Sequence, residues 1–207
     1  MAGYPTESPC NKPCEPWIAD LSILKPIDWI ALFGCDAPVH VDAGAGDGGF
    51  AIEMARRYPK ENFLAIERLL GRARKIVRKA ERLGLINLKV LRIETSYFLR
   101  YLAPPRSIQT LHILFPDPWP KRRHAQHRLI QPDFIEAAWH ALKADGFVRF
   151  VTDHEEYFKW ACSIWSAASG WISLGAGDLQ DWPATDFQKT FAEENRPVFC
   201  EQWKRVL

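Results

Sequence analysis

The sequence predicts one α/β domain of the doubly wound, Rossmann-like class, with helices on both faces of a central sheet. Short apolar runs that suit buried strands alternate with longer segments of helical periodicity, and the connections between them are short. A glycine-rich turn over residues 43–49 joins the first predicted strand to a helix. The 207 residues are 47% hydrophobic and 25% charged, which is enough apolar material for a full core.

The predicted elements follow this alternation along the chain. Strands are expected at 38–42, 62–67, 88–93, 110–115, 146–151, 171–174 and 198–203. Helices are expected at 17–35, 50–58, 69–83, 132–143 and 154–168. We expect residues 1–37 to form an N-terminal arm and a helix that covers one edge of the sheet, and residues 38–207 to form the domain that carries the function.

Composition excludes some classes of protein and leaves others open. The net charge of +2 favours no particular partner. No apolar run approaches the roughly 20 residues that span a membrane, and the N-terminus lacks the pattern of a signal peptide. The cysteines and histidines show no metal-ligand spacing. We therefore expect a cytoplasmic protein with reduced cysteines, no metal and no membrane contact.

Two ligand classes fit the glycine-rich turn. Gly44, Gly46 and Gly49 satisfy the Gly-x-Gly-x-x-Gly pattern of dinucleotide-binding folds, in which Glu67 would bind ribose hydroxyls. Asp42, two residues before the first glycine, instead resembles the first motif of S-adenosylmethionine-dependent methyltransferases. A turn with a structural role alone is the third interpretation.

Charge favours the methyl donor over the dinucleotide. Asp42 and Asp47 would repel a pyrophosphate at the N-terminus of the following helix, whereas they would attract a sulfonium and an ammonium group. Glu67 serves either ligand, because a carboxylate accepts hydrogen bonds from both ribose hydroxyls. Glu94, after the third predicted strand, stands where such a methyltransferase places an acid near the adenine.

The helix predicted at 69–83 has a cationic face. Basic residues recur at spacings of three and four, and two more widen the face: Arg68, Arg72, Lys75, Lys79 and Arg82, with Arg74 and Arg78. Glu81 is the only acid from 68 to 82. Because solvated helices usually mix charges of both signs, this face favours contact with nucleic-acid phosphates over a plain solvated surface.

The stretch from Phe115 to His124 leaves the fourth predicted strand as a stiff loop, Phe-Pro-Asp-Pro-Trp-Pro-Lys-Arg-Arg-His. It places Asp117, Trp119 and several cations at the C-terminal end of a strand, where open α/β sheets bind ligands. We expect this loop to receive a nucleic-acid base. Trp119 would either stack on that base or pack as part of the structure.

Together with Arg128-Leu129, this loop resembles the signature of the tRNA (guanine-N7-)-methyltransferases, which methylate a guanosine in the variable loop of tRNA. The resemblance runs from about Val39 to the C-terminus. It includes the glycine motif, Thr152-Asp153 and a late Thr-x-Phe element at residues 185–187. It implies a Rossmann-like methyltransferase domain over 38–207, S-adenosylmethionine as methyl donor and tRNA as substrate.

The resemblance also implies roles for individual residues. Asp117 would be the active-site acid. The S-adenosylmethionine pocket would be lined by the glycine motif and four acids: Asp42, Gly44, Gly46, Glu67, Glu94 and Asp117. Contacts to tRNA are expected from Lys121, Asp153, Thr185, Asp186, Phe187 and Gln188, and the position of Arg123 and His124 in the same loop adds these two.

Several positions depart from the family pattern. Asp42 stands where many members have glutamate, and Glu94-Thr95 replaces the usual Asp-Ala, so both acids are preserved. In the late element, Asp186 and Gln188 replace a lysine and a glutamate. The alternatives are a methyltransferase acting on another RNA or on a protein, a non-catalytic nucleic-acid-binding subunit, and a dinucleotide oxidoreductase.

Overall fold

The computed structural model describes residues 16–18, 22–177 and 182–206. Its strands form one seven-stranded sheet in the order β3-β2-β1-β4-β5-β7-β6. The strands are β1 (Val39–Ala43), β2 (Asn62–Ile66), β3 (Leu88–Leu91), β4 (Ile108–Leu114), β5 (Leu142–Thr152), β6 (Trp171–Gly175) and β7 (Phe199–Arg205). β1 to β5 are parallel, and β7 is antiparallel to both of its neighbours.

Helices cover both faces of this sheet. They are α1 (Trp29–Phe33), α2 (Gly49–Arg57), α3 (Leu70–Arg82), α4 (Thr95–Tyr97), α5 (Pro132–Ala141), α6 (Glu155–Ala167) and α7 (Asp186–Glu193), with a π-helical turn at Phe98–Leu102 and a 3₁₀ segment at Arg122–His127. One core lies between the sheet and α2 and α3, and the other lies against α5 and α6. The predicted doubly wound α/β class is therefore confirmed.

The site is positioned by the order of the strands. The chain moves from β1 outward to β2 and β3, and it returns across the sheet to β4 before moving outward in the other direction. β1 and β4 are therefore neighbours whose following segments diverge, and their C-terminal ends form a switch point of the kind where open sheets bind ligands.

Some expected elements differ in the structure. The helix expected at 17–35 is wrong: α1 covers only Trp29–Phe33, and Trp17 instead forms a parallel bridge with Val90 on the edge strand β3. Trp17 still covers one edge of the sheet, because backbone hydrogen bonds favour an extended segment beside an unpaired strand. α7 was not expected. Residues 1–15 of the expected arm lie outside the described residues.

Cys35 is disulfide-bonded, so the expectation that all cysteines are reduced is wrong for this residue. Cys162 and Cys200 are free thiols. In the part of the chain that the structure describes, no helix is long and apolar enough to cross a membrane.

Candidate active site

A cleft opens at the C-terminal ends of β1 and β4. Its empty volume is about 740 Å³, part of it open to solvent. Asp42 and the glycine-rich turn line one side, and Leu114 and Phe115 at the end of β4 line another. Thr185 and Phe187, at the start of α7, close the cleft from above the sheet. Apolar and polar residues together line the cleft, as is usual for a ligand site.

The glycine-rich turn is held tightly to the neighbouring strand. The amides of Gly44 and Ala45 both donate to the carbonyl of Ile66, at 2.9 and 2.8 Å. Gly48 has a φ of +77°, and a Cβ at this position would lie 2.6 Å from Cγ1 of Ile76. Only glycine combines this backbone conformation with such a close approach of α3. The turn therefore presents its backbone to the cleft in one conformation.

Glu67 stabilises the turn from the end of β2. Its Oε2 accepts a hydrogen bond from the amide of Gly46 at 3.0 Å, and its Oε1 accepts one from the amide of Leu69 at 2.8 Å. Each carboxylate oxygen has a second lone pair. Glu67 can thus hold the turn and still accept hydrogen bonds from ribose hydroxyls.

Asp47 is neutralised by the cationic face of α3. The ammonium of Lys75 lies 2.5 Å from its carboxylate, and Lys79 donates to its backbone carbonyl at 2.9 Å. The hydrogen bond from Lys75 is the main reason that the pKa of Asp47 lies below its ordinary value. Two cations expected to track phosphate therefore hold the glycine-rich turn, and Arg72 lines the cleft. Because Asp47 is paired with Lys75, it would repel a pyrophosphate less than the sequence suggested, and the charge argument against a dinucleotide then depends on Asp42.

Asp42 is the buried acid of the cleft. It is 5% exposed, and burial, reinforced by the charge of Glu67, raises its pKa from 3.8 to about 7 against the opposing effect of Arg149. A carboxylate that is half protonated near neutral pH is stabilised in its charged form by any cation that enters the cleft. The sulfonium and ammonium groups of S-adenosylmethionine are such cations, so the site fits this cofactor.

The loop after β4 is stiffened by Arg128. Nε of Arg128 donates to the carbonyl of Pro118 at 2.9 Å, and its guanidinium lies over the rings of Tyr157 and Trp160, at 5.2 and 5.1 Å from their centroids. Arg128 is 7% exposed. Arg128 therefore does not extend the exposed cationic surface, because its guanidinium interacts inside the protein.

Comparison with known proteins identifies the family. Residues 36–200 match a family model described as a putative methyltransferase. A tRNA (guanine-N(7)-)-methyltransferase of Aeromonas hydrophila is 34% identical over 187 residues, which cover 88% of this chain and 79% of that protein. The chain belongs to the tRNA (guanine-N7-)-methyltransferase family.

Other relatives bear the same name. The Klebsiella pneumoniae enzyme is 35% identical over 87% of this chain and 78% of its own length. A Thermotoga maritima member is 37% identical over 65% of this chain, but the match spans only 43% of that longer protein.

Solved structures share the fold at low identity. The antibiotic-resistance methyltransferase Kmr has a TM-score of 0.63 at 16% identity, with 91% of this chain and 95% of that chain covered. An S-adenosylmethionine-dependent methyltransferase from Aquifex aeolicus has a TM-score of 0.58 at 15% identity, with 86% and 87% covered. At such identities the likeness concerns the fold alone.

The structure places the expected cofactor residues of the tRNA (guanine-N7-)-methyltransferase family at the same edge of the sheet. Asp42, Gly44 and Gly46 line the cleft, and Glu67 reaches it through the amide of Gly46. Glu94 is exposed and caps α4, where its carboxylate accepts the amide of Tyr97 at 2.8 Å. It does not line the cleft.

The expected catalytic loop stands beside the cleft. Asp117 is exposed and follows Phe115, which lines the cleft. Lys121 and Arg123 are exposed as well. Trp119, at 36% exposure, packs against two histidines of the 3₁₀ segment, with centroid distances of 5.8 Å to His124 and 5.1 Å to His127.

The remaining expected substrate contacts make structural bonds. Thr185 and Gln188 form a capping box at the start of α7: Oγ1 of Thr185 accepts the Gln188 amide at 3.0 Å, and Oε1 of Gln188 accepts the Thr185 amide at 2.9 Å. Glutamine serves this box as well as the family's glutamate. Asp186 begins α7, and Asp153 forms an ion pair with Arg196. Phe187 lines the cleft while 53% exposed.

Two buried basic residues near Asp42 were not expected from the sequence: His112, its register partner on β4, and Arg149, the register partner of His112 on β5. The available signal was a basic residue within each apolar run, Leu-His-Ile-Leu and Phe-Val-Arg-Phe-Val. Among the described residues no group of three histidines, cysteines or acids could hold a metal ion.

Proposed function

We propose that this protein transfers the methyl group of S-adenosylmethionine to N7 of a guanosine in the variable loop of tRNA. The observation that carries the proposal is the position of the Phe115–His124 loop. It leaves β4 directly beside the cleft that the glycine-rich turn builds at the end of β1. A tRNA substrate also implies a location in the cytoplasm.

The cleft supplies what the methyl donor requires. S-adenosylmethionine brings an activated methyl group, and the chain supplies Asp42 for its positive charge and Glu67 for its ribose. We assign Gly44 and Gly46 to close backbone contact, because a ligand can approach these residues without meeting a Cβ atom. Glu94 follows β3, which lies one strand further from the cleft than β2, so it would reach the adenine only from the edge of the cleft.

Guanine N7 carries an in-plane lone pair, so the reaction needs no general base. Catalysis is then mainly a matter of alignment and exclusion of water. Positive charge moves onto the purine as the methyl group is transferred. We assign to Asp117 the stabilisation of this charge or the recognition of the guanine N1–H and N2–H₂ edge, since one carboxylate accepts both bonds.

The substrate surface combines the loop with the outer face of α3. Lys121 and Arg123 are exposed in the loop, and Arg74, Arg78 and Arg82 are exposed on α3. We propose that these residues bind the phosphates of tRNA, while Phe187 provides an exposed ring at the mouth of the cleft on which a displaced base can stack. His124, Asp153 and Thr185 to Gln188 complete the proposed contact area.

The decisive experiment incubates the protein with labelled S-adenosylmethionine and unmodified tRNA, and then maps alkali-labile N7-methylguanosine. A tRNA with 7-deazaguanosine at the target position is the matched control, because it lacks only the nucleophilic atom. Label that appears equally in the control would refute N7 transfer and favour another RNA position. Label in protein would favour the alternative substrate class.

Asp117→Ala should abolish transfer while leaving the fold intact, whereas Asp133→Ala, which removes another exposed acid, should leave transfer unchanged. Lys121→Ala should weaken tRNA binding and reduce its salt dependence by about one phosphate contact. Lys159→Ala removes an exposed lysine from α6 and should leave the salt slope unchanged. Identical slopes for both lysine variants would contradict the phosphate role of Lys121.

A further inference from the structure

A row of polar side chains crosses the sheet behind the cleft. Asp42 of β1 is in register with His112 of β4, His112 with Arg149 of β5, and Arg149 with Gln202 of β7. Register partners on neighbouring strands project to the same face of a sheet. The four side chains therefore share the face that α2 covers, and none is more than 9% exposed.

Arg149 lies in this row without a carboxylate partner. Its guanidinium is fully buried, and within the described structure its nitrogens make no hydrogen bond to an oxygen or nitrogen acceptor; the polar group that interacts with it is the Cys200 thiol of β7. It lies over the rings of Phe50 and Trp182, at 5.9 and 5.5 Å from their centroids. Ring faces attract a cation but do not neutralise it. Because an isolated buried charge is costly, an anion nearby would stabilise this guanidinium.

Asp42 is the anion that fits. Two strand spacings separate it from Arg149, about 10 Å between Cα atoms, and the charge of Arg149 acts on the Asp42 carboxyl. Charges act strongly over such distances in a poorly solvated interior. His112 lies between them in the row, and burial, together with the charges of Arg149 and His40, holds its pKa well below the ordinary value. His112 is therefore neutral.

The charges that act on the Asp42 carboxylate are the acid Glu67, which follows β2, and the cation Arg149 of β5. The acid and the burial favour the protonated carboxyl, and Arg149 opposes them. Burial raises the pKa of the Cys200 thiol on β7, so it carries no charge at neutral pH. The other titratable groups facing this region are His40, Asp47 and Arg72; His40 faces Glu61 at 2.9 Å and Asp47 is paired with Lys75.

We propose that Arg149 is a positioning residue for the cofactor: its buried guanidinium favours the charged form of the Asp42 carboxylate and so helps to set the pH range in which the cleft binds S-adenosylmethionine. The inference rests on the assignment of Asp42 to the cofactor in the proposed function. Arg149 touches neither cofactor nor substrate in this arrangement. It acts through Asp42, and through the ring of Phe50 that lines the same cleft.

The test measures binding of S-adenosylmethionine by calorimetry between about pH 5.5 and 9, for the wild type and for R149M, R149K and R205M. R149M removes the charge at similar length, and R149K retains it. R205M is the matched control, because Arg205 is equally buried but lies over Trp139, away from Asp42. A carbon-13 titration of the Asp42 carboxyl, assigned with D42N, reports the same midpoint without any ligand.

Wild-type affinity should rise with pH through a midpoint near neutrality. In R149M the midpoint should move to higher pH. Below the midpoint, R149M should bind S-adenosylmethionine about tenfold more weakly than the wild type for each pH unit by which the midpoint moves. At high pH the two affinities should become equal. R149K should restore the wild-type midpoint, and R205M should not move it. An R149M curve lowered equally at every pH would show a packing role alone and overturn the proposal.

These outcomes also separate this inference from the proposed function. A wild-type protein that binds S-adenosylmethionine with this pH profile but methylates no tRNA would refute the proposed substrate and support the role of Arg149. Absence of binding at every pH would overturn both.

Discussion

Replacement of Asp42 by asparagine should remove a pH-dependent loss of stability. The amide keeps the shape of the carboxyl group but cannot ionise. In the wild type, folding raises the pKa of Asp42 from 3.8 to about 7. The folded state thus binds the proton more tightly than the unfolded state, so the free energy of unfolding falls as pH rises through this interval.

The size of the effect follows from these two values. A rise of about three in the pKa corresponds to a change of roughly 4 kcal/mol in the free energy of unfolding. The loss begins above about pH 4 and is complete at about pH 8. Asp42→Asn should therefore gain roughly 4 kcal/mol relative to the wild type between these limits. Arg149 does not change this difference in stability. It faces an uncharged residue 42 in Asp42→Asn, and it also does so in the wild type when Asp42 is protonated.

Urea unfolding of the two proteins at several pH values, without cofactor, measures this difference. Asp47→Asn is the control of opposite sign, because the bond from Lys75 lowers the pKa of Asp47. Removal of that carboxylate should cost stability at neutral pH, and the cost should fade in acid. If the wild type and Asp42→Asn differ by the same amount at every pH, Asp42 is not the buried titrating group described above.

Three further substitutions test the glycine-rich turn, the fold and the catalytic loop. Gly48→Ala should lower the free energy of unfolding by about 2 kcal/mol or more, because its Cβ would meet Ile76 at a positive φ; a neutral result in urea unfolding would contradict the close packing of α3. Asn87→Ala should cost about 2–4 kcal/mol in the same assay, since the buried amide donates to three backbone carbonyls, at 3.1, 3.1 and 2.9 Å. Arg128→Met should reduce kcat for methyl transfer at least tenfold with little change in the KM for S-adenosylmethionine, because the bond to the Pro118 carbonyl positions the catalytic loop; an unchanged kcat would remove that role.

Short-range patterns predicted most of the fold correctly. The strands from β1 to β4 and the helices α2, α3 and α6 lie within a few residues of their predicted positions. Apolar periodicity and turn residues act over single elements, so they are visible in the chain. The helix expected at 17–35 was wrong because a local pattern does not reveal long-range pairing: Trp17 pairs with Val90 of β3, 90 − 17 = 73 residues further along the chain.

The partners of charged side chains depended more on the tertiary structure than the burial of apolar side chains did. Periodicity correctly placed Lys75 and Lys79 on one face of α3, but it could not tell whether that face met solvent or another part of the protein. The packing of α3 against the glycine-rich turn directs both lysines to Asp47. Arg128 likewise belongs to a basic run in the sequence and to an aromatic pocket in the structure.

The order of elements, the glycine-rich turn and the stiff loop from Phe115 to His124 could all be recognised in the linear chain, because each depends on residues close together in sequence. The row from Asp42 through His112 to Arg149 could not. Its members come from three strands, and their contact depends on strand order and register, which arise from long-range pairing. The charge state of the proposed cofactor acid is therefore a property of the assembled sheet.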